Sequence, residues 1–509
     1  MELHFPSFLV LLSFLVFIFM VLRSILGKKN SAKNLPPGPS KLPVIGSIHH
    51  LITSLPHHRL RDLAKIYGPI MHLQLGELTN IIISAPETAK EVMKTHDITF
   101  AQRPFLLAAS AVTYNYSDIA FAPYGDYWRQ MRKICTVELL TAKRVDSFRS
   151  VREEQVSKLI TSISSSAAAG SSINFSKLVN SSIYSIVSRT AFGKIWEGED
   201  IFIPAVKDLI EAAGGFKIAD LFPSVKLLQV VSGMNSKLER LHKNIDKIFQ
   251  SIMDEHRARK ATGSYLAETE GNEDLVDVLL NLQDQGGLQF PLTDDNIKAA
   301  ILDMFVAGTE TSSTTIEWVM SELMKNPKAI EKAQDEVRRI FGTQGNVDES
   351  RLDELNYFKL VVKEALRLHP PIPLLLPREC REKCSINGYE IPVKSKVMVN
   401  VWAMGRDPNY WDEAEKFNPE RFIDSSIDYR GTNFEYLPFG AGRRMCPGLT
   451  YGMINVEFPL AQLLFHFDWK LPTGMTPENL DMVEIFGAVT KRKNDLHLIP
   501  IPYRPSLVK

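Results

Sequence analysis

The residues best suited to chemistry lie in one glycine-rich loop near the end of the chain, Phe439–Gly448, with the sequence FGAGRRMCPG. Its glycines carry no Cβ, so the backbone can fold tightly and come close to a flat ligand. Pro447 fixes the backbone torsion after Cys446 and removes one N–H donor. A cysteine thiolate is a soft metal ligand, and the guanidinium of Arg444 suits a carboxylate. The loop therefore predicts either a metal-bound thiolate or a tight turn around a buried structural cysteine.

A long helix with small residues at its centre is the second candidate element. From about residue 293 to 326, apolar residues recur at spacings of three and four. Its central stretch, 307–312, is AGTETS, and small side chains there leave room for a ligand, although the glycine costs about 1 kcal/mol of helix stability. The hydroxyl of Thr311 can bind the carbonyl oxygen of Ala307 and loosen the helix. Glu310 beside this alcohol completes a pair that can transfer protons. A core helix whose small residues only pack is the alternative.

Composition excludes several classes of protein. The 509 residues are 45% hydrophobic and 23% charged, as in globular proteins. The formal net charge is zero and no basic stripe occurs, which argues against a nucleic-acid-binding protein. Cys135, Cys380, Cys384 and Cys446 are too few for a disulfide framework. Cys380 and Cys384 also lack a second pair for a structural zinc site, so we expect reduced thiols in a cytosol-facing domain.

The N-terminal segment has the length and composition of a membrane anchor. Leu3–Leu22 is almost wholly apolar, and about 20 such residues span a bilayer as one helix. Basic residues follow within 23–33, which places the rest of the chain on the cytoplasmic side. A cleaved signal peptide is the alternative, but a short apolar core with a small-residue cleavage site is not evident. The prolines of 35–39 favour a stiff, extended path. The expected organisation is an anchor at 1–23, a basic and proline-rich linker at 24–40 and a catalytic domain at 41–509.

The rest of the chain predicts a mainly α fold with a small β-sheet part. Strands are expected at 70–75 and 80–84 around a turn at Gly76–Glu77, followed by a helix from Pro86 through His96. Helical patterns then dominate, with further short strands near 396–401 and 496–499. Small and polar residues predict loops at 164–172 and 261–272.

Together these motifs resemble those of the cytochrome P-450 family. The glycine-rich loop matches its haem-binding signature, Phe-x-x-Gly-x-Arg-x-Cys-x-Gly, and the helix centre matches Ala-Gly-x-(Asp/Glu)-Thr-(Thr/Ser). The resemblance covers essentially the whole chain, and the motifs are similar to those of the plant A-type microsomal group. The stretches 57–63 and 433–438 are similar to family 71 subfamily D, which is rich in terpenoid hydroxylases. The resemblance implies the cytochrome P-450 fold, preceded by one transmembrane helix. It also implies a single-pass protein of the endoplasmic reticulum membrane whose catalytic domain lies on the cytosolic face.

The resemblance also assigns roles to individual residues. Cys446 is the axial ligand of the iron of haem b, and Glu310 and Thr311 handle protons. Residues that match the family's haem-anchoring positions are Trp128, Arg132, Arg378 and Arg444. A buried structural charge network is implied for Glu364, Arg367 and Arg421, from Glu-x-x-Arg and Pro-Glu-Arg-Phe motifs. An apolar substrate pocket is expected from the family's substrate-contact regions, lined by Phe105, Leu106, Val112, Phe121, Met304, Val306, Ala307, Ile372, Leu375, Leu376, Phe486, Ala488 and Val489.

The implied activity is an NADPH- and O2-dependent monooxygenase that hydroxylates or epoxidises a small hydrophobic plant metabolite. A mono-, sesqui- or diterpene is the first expectation, and an alkaloid or phenylpropanoid-type substrate is the alternative. Electrons come from NADPH-cytochrome P-450 reductase, for which Arg129, Lys133 and Arg443 form the expected basic docking face. A haem-thiolate isomerase or dehydratase and a haem sensor without turnover are the other classes, but neither needs the intact Glu310–Thr311 pair.

Overall fold

The computed structural model describes residues 34–503, except 53–54, 169, 196–217, 232 and 263–272, together with Phe14 and Ile18. The predicted anchor at Leu3–Leu22 lies outside the described residues apart from those two. Within the described part of the chain, no helix combines the length and apolar composition needed to cross a membrane.

Helices form most of the described structure, as the sequence predicts. They are α1 (Pro56–Tyr67), α2 (Pro86–Lys90), α3 (Leu107–Val112), α4 (Asp126–Ile134), α5 (Ala142–Ser147), α6 (Arg149–Ala168), α7 (Phe175–Phe192), α8 (Ile218–Leu221), α9 (Lys226–Val231), α10 (Met234–Ala261), α11 (Leu275–Gln285), α12 (Asp294–Lys325), α13 (Pro327–Phe341), α14 (Asn356–Leu368), α15 (Val401–Met404) and α16 (Leu449–His466). Single helical turns of 3-10 or π type occur at Ile48–His50, Glu91–Thr95, Cys135–Leu139, Glu349–Glu354, Pro419–Phe422, Gly442–Arg444 and Pro477–Asn479.

Within the described residues, the strands form four small sheets. They are β1 (Ile70–Leu75), β2 (Leu78–Ile83), β3 (Ile173–Asn174), β4 (Arg378–Glu379), β5 (Cys384–Ile386), β6 (Tyr389–Ile391), β7 (Lys396–Val399), β8 (Phe467–Lys470), β9 (Glu484–Ile485), β10 (Lys491–Arg492) and β11 (His497–Pro502). The largest sheet has the order β1-β2-β7-β4, with β2 parallel to β7 and the other pairs antiparallel. The remaining sheets are β3-β11-β8, β5-β6 and the hairpin β9-β10.

The predicted strand 70–75 is confirmed, and its partner begins two residues earlier than expected, at Leu78. The tight turn between them needs Gly76, whose φ is +60°, because L-residues with a side chain rarely adopt that torsion. The predicted helix from Pro86 through His96 is present as α2 followed by a π turn at Glu91–Thr95.

One predicted loop is partly wrong. The small and polar residues from Ser164 onward do not end helix α6, which continues to Ala168. Ile163 and Ala167 are buried in the core, so tertiary packing outweighs the weak helix preference of the serines. The hydroxyl of Ser165 also donates to the carbonyl oxygen of Thr161 at 3.1 Å, within the helix.

The long helix α12 is the central element of the largest core cluster. Thr293 caps it: its hydroxyl accepts from the amide of Asn296, whose side chain accepts from the amide of Thr293. The helix packs against α7 on one side and α16 on another, and most of its side chains are buried. Helix α16 begins directly after the cysteine loop. This packing places the cysteine loop next to the long helix, the two elements predicted to carry the chemistry.

The proline-rich segment lies against the body rather than apart from it. The amide of His72 in β1 donates to the carbonyl oxygen of Pro37 at 2.8 Å. A Cβ on Gly38 would lie 1.9 Å from the carbonyl oxygen of His72, so this close approach requires glycine. The side chain of Asn34 donates to the carbonyl oxygen of Gly388 at 2.7 Å. Residues 34–38 are therefore fixed to two of the sheets.

Candidate active site

The cysteine loop is built by backbone contacts that need glycine. Gly440 and Gly442 both have a φ of +69°. A Cβ on Gly442 would lie 2.2 Å from the carbonyl oxygen of Met93, so only glycine allows the loop to approach the π turn at Glu91–Thr95 this closely. The amide of Cys446 donates to the carbonyl oxygen of Phe439 at 3.0 Å. These contacts hold the thiol at the wall of a large cavity.

The cavity beside Cys446 contains ≈ 1470 Å³ of empty space, counting its open mouth. The cysteine loop lines one part of the cavity, and Ala307, Gly308 and Thr311 of α12 line another. A ligand in the cavity would therefore lie between the Cys446 thiol and the centre of α12.

The thiol itself needs a positive partner to ionise. Burial raises the pKa of Cys446, whereas a backbone hydrogen bond from Gly448 and the charge of Arg132 act in the opposite direction. A metal cation deprotonates a thiol that coordinates it. A cysteine at this position therefore fits the role of an axial ligand to haem iron.

Four arginines line the same cavity, and one of them, Arg103, is not predicted by the sequence patterns. The other three are Arg132, Arg378 and Arg444. Burial and then the charge of Arg378 lower the pKa of Arg444 to about 9. Burial, followed by repulsion from Arg444 and Arg378, lowers the pKa of Arg103 well below its usual value. So much positive charge in one cavity favours an anionic occupant, and two haem propionates would supply two carboxylates. The residues present therefore fit haem.

Backbone carbonyls hold these guanidinium groups in place. Arg444 donates to Ala101, Ile119 and Ala122 at 2.8, 3.2 and 2.6 Å, and its guanidinium lies 4.3 Å from the centre of the Trp128 ring system. Arg378 donates to Ala441 at 2.8 Å and pairs with Asp97 at 3.1 Å.

The indole N–H of Trp128, one of the predicted haem-anchoring residues, has a partner within the protein. It donates to the carbonyl oxygen of Ile119 at 3.1 Å. Trp128 still lines the cavity, so its contribution to haem binding through the ring remains a prediction.

The predicted hydrogen bond at the centre of α12 is confirmed. The hydroxyl of Thr311 donates to the carbonyl oxygen of Ala307 at 2.6 Å, although α12 continues through this point without a break. A Cβ on Gly308 would lie 3.3 Å from the Tyr451 ring. Gly308 therefore allows close packing of α12 against Tyr451 of α16, and it also lines the cavity. Glu310 is buried and forms an ion pair with Lys491 of β10.

The predicted structural charge network is confirmed. The Glu364 carboxylate accepts two hydrogen bonds from Arg367 at 2.8 Å and one from Arg421 at 3.0 Å. It also accepts from the amide of Asn418 at 2.8 Å. The side chains of Glu364 and Arg367 have no solvent exposure, so the network ties α14 to the Pro419–Phe422 turn.

The predicted pocket residues fall into two groups. Those on the cavity wall are Met304, Ala307, Ile372, Leu375 and Leu376. Those not on this wall are Phe105, Leu106, Val112, Phe121, Val306, Phe486, Ala488 and Val489. Phe105 is half exposed to solvent, whereas Leu106, Val112 and Val489 are buried in the core. The ring of Phe486 stacks on His57 at 5.8 Å. Substrate contact by this second group remains a prediction.

Comparisons with known proteins agree with this site. The sequence model of the family described as Cytochrome P450 matches residues 36–499. The chain is 56% identical to Cytochrome P450 71D445 of Euphorbia lathyris and 54% identical to premnaspirodiene oxygenase of Hyoscyamus muticus; each alignment covers 99% of both chains. It is 55% identical to desmethyl-deoxy-podophyllotoxin synthase of Sinopodophyllum hexandrum, over 96% of this chain and 95% of that protein.

A solved structure shares the fold. A zebrafish cytochrome P450 with abiraterone superimposes with a TM-score of 0.73 at 25% identity, covering 88% of this chain and all of that one. Members of this family bind haem b through a cysteine and receive electrons from NADPH through a reductase. The sequence match, the shared fold and the Cys446 cavity with its four arginines lead to one conclusion: the chain belongs to the cytochrome P450 family and is a haem-thiolate monooxygenase similar to the plant family 71 subfamily D enzymes.

Proposed function

We propose that this monooxygenase hydroxylates or epoxidises a terpenoid. The observation that carries the proposal is the mainly apolar cavity between Cys446 and Thr311, which suits a compact hydrocarbon skeleton. The 54% identity to premnaspirodiene oxygenase supports the same substrate class.

Haem b bound at Cys446 supplies reductive activation of O2, so that one oxygen atom enters the substrate and the other leaves as water. Residues of the chain position the cofactor and the substrate and transfer protons. The four arginines of the cavity wall would hold the cofactor's carboxylates. Ile372, Leu375 and Leu376 exclude water and hold an apolar substrate by shape. Thr311 and Glu310 transfer the protons that the reduction consumes.

A phenylpropanoid-derived substrate is the second candidate, because desmethyl-deoxy-podophyllotoxin synthase is 55% identical to this chain. An apolar wall also accepts a fused aromatic skeleton, and it provides few hydrogen bonds to discriminate between the two classes. An alkaloid is the remaining alternative from the sequence.

The chain is also proposed to be anchored in the endoplasmic reticulum membrane by residues 1–23, with 24–40 as a linker and 41–509 on the cytosolic face. Beyond the apolar N-terminal segment, exposed large apolar side chains support this proposal. They include Leu42, Ile45, Ile52, Ile66, Ile218 and Leu227, each within three residues of a member of the core cluster around α1, β1, β2 and α8 or of a side chain packed against it. Contiguous exposed apolar residues are a feature of membrane-contacting surfaces.

NADPH-cytochrome P450 reductase is the proposed electron donor, docking at Arg129, Lys133 and Arg443. All three side chains are exposed, which supports a docking face. Arg129 pairs with Asp126, and Arg443 lies 3.5 Å from Asp97, so acidic groups of the reductase would compete with these partners. Charge reversal of Arg129 and Lys133 together should lower the reductase-supported rate and its salt dependence.

The deciding experiment uses microsomes that contain the full chain and a plant reductase. Cyclic terpenes, aryl lignans and alkaloids are supplied separately with NADPH, and products one oxygen atom heavier are measured by mass spectrometry. Cys446→Ser is the control, because it removes the haem ligand. Turnover of terpenes supports the proposal, whereas turnover of lignans or alkaloids without terpenes would overturn it.

A further inference from the structure

One short segment of the cavity wall is held by hydrogen bonds from other parts of the chain to several of its backbone groups. Residues 118–122 connect α3 to α4, and Ile119 and Ala120 line the cavity. The carbonyl oxygen of Ile119 accepts from Trp128 and Arg444, at 3.1 and 3.2 Å. The segment is thus attached on one side to two residues that match the family's haem-anchoring positions.

The same segment is attached on its other side to helix α12. Asp303 of α12 accepts from the amide of Ile119 at 2.6 Å and from the amide of Ala120 at 3.2 Å, both through Oδ2. The carbonyl oxygen of Ala120 accepts from Arg103 at 2.8 Å. Asp303 itself lines the cavity one helical turn before Ala307. A single carboxylate therefore connects α12 to a segment about 180 residues earlier in the chain.

A second carboxyl group supports this attachment. Asp118 is fully buried, and its Oδ2 accepts from the amide of Phe121 at 2.9 Å. Burial, followed by the charge of Asp303, raises the pKa of Asp118 well above its usual value. The amides of Ile119 and Ala120 stabilise the charge of Asp303, and the amide of Phe121 stabilises that of Asp118, which offsets part of the repulsion between the two carboxyl groups.

We propose that Asp303 is a positioning residue that sets substrate specificity by fixing the backbone of Ile119 and Ala120 as part of the cavity wall. A wall whose position is fixed rejects substrates by their shape. An apolar cavity has few hydrogen-bonding groups, so shape is its main means of discriminating between substrates. Without the carboxylate, two buried amides lose their acceptor, and the segment would move to satisfy them. The side chain of Ile119 would then change its distance from the reacting carbon.

The test uses the ferric holoenzyme of the full chain and the variants Asp303→Leu and Asp303→Asn. Leucine removes both acceptors at similar size, whereas asparagine keeps one neutral acceptor oxygen. Asp295→Asn, an exposed position near the start of the same helix, is the matched control. Amide hydrogen exchange is followed by mass spectrometry in a peptide covering 118–122. We expect exchange at Ile119 and Ala120 to be about tenfold or more faster in Asp303→Leu, and less so in Asp303→Asn.

The second readout is the product distribution, measured with the substrate found by the microsomal screen; this part of the test rests on the proposed function. We expect Asp303→Leu to spread oxidation over additional carbons while the haem content stays that of the control. Unchanged amide exchange would overturn the proposal, and so would faster exchange with an unchanged product ratio. Loss of haem from both Asp303 variants but not from Asp295→Asn would also overturn it, because Asp303 would then serve folding. The exchange measurement needs no substrate, so it is separate from failure of the terpenoid assignment.

Discussion

Lys491 forms an ion pair with Glu310, the acid at the centre of α12. The Glu310 side chain is almost completely buried, whereas that of Lys491 is about one third exposed. Lys491 belongs to the short hairpin β9–β10, which is attached at its base by buried charges. There Glu484 accepts from His57 at 2.7 Å, and Arg492 donates to Ser321 of α12 at 3.1 Å. The hairpin therefore holds a cation at the one acid expected to move protons.

Replacement of this cation should weaken the fold through Glu310 specifically. Lys491→Met leaves the buried carboxylate without its counter-charge, while Glu310→Gln removes the need for one. We expect the two effects to be non-additive by about 1 kcal/mol, because the pair is partly screened by solvent. A double-mutant cycle on urea unfolding of the ferric holoenzyme measures this coupling. Lys491→Arg keeps the charge and should behave like the parent; simple additivity would show that the ion pair is not formed in solution.

Loss of the Thr311 hydroxyl should separate electron use from product formation. In Thr311→Ala the alcohol that donates to Ala307 is absent, so a group of the proposed proton route is missing. We expect NADPH consumption to continue while product per NADPH falls about tenfold or more, with peroxide in its place. Thr311→Ser, which retains the hydroxyl, is the control. The idea fails if the alanine variant keeps the parent's coupling and product rate.

The charge network around Glu364 should be needed for stability and not for chemistry. Glu364→Gln leaves Arg367 and Arg421 with less counter-charge in a buried site. Breaking a buried pair of this kind typically costs about 3–5 kcal/mol. We expect a lower urea midpoint of haem release and less folded enzyme, with coupling of NADPH to product unchanged in the fraction that folds. Glu331→Gln, on the exposed side of α13, should leave both quantities unchanged.

Sequence patterns predicted the elements that depend on interactions between residues close together in the chain. The extent of α12 follows from apolar residues spaced three and four apart, and the hydrogen bond of Thr311 to Ala307 follows from one helical turn. The hairpin β1–β2 follows from alternating apolar residues around Gly76. In each case the interacting groups lie within a few residues of one another, so the sequence alone contains the geometry.

The contacts that pattern reasoning did not predict join distant parts of the chain. Glu310 and Lys491 are about 180 residues apart, as are Asp303 and Ile119, and no motif links either pair. Arg103 has no distinguishing neighbour in the sequence, yet the fold directs it into the cavity. One signal was available for Asp303: a carboxylate within the otherwise apolar stretch 299–306 of a core helix requires a buried partner.

The buried histidine of the first sheet should make stability depend on pH. Burial, followed by the charge of Lys41, lowers the pKa of His72 to about 4 from 6.5. Between these values the unfolded chain binds more protons than the folded one, so this contribution is complete above pH 6.5 and is lost as the pH falls towards 4. The change is roughly 3 kcal/mol at most. The unfolding midpoint of the parent in urea should therefore fall across this range, and that of His72→Gln should fall less. His497→Gln, at an exposed position, should follow the parent. Equal slopes for the parent and His72→Gln would mean that His72 is protonated in the folded enzyme, and the docking of the proline-rich segment on β1 would then have to tolerate a buried charge.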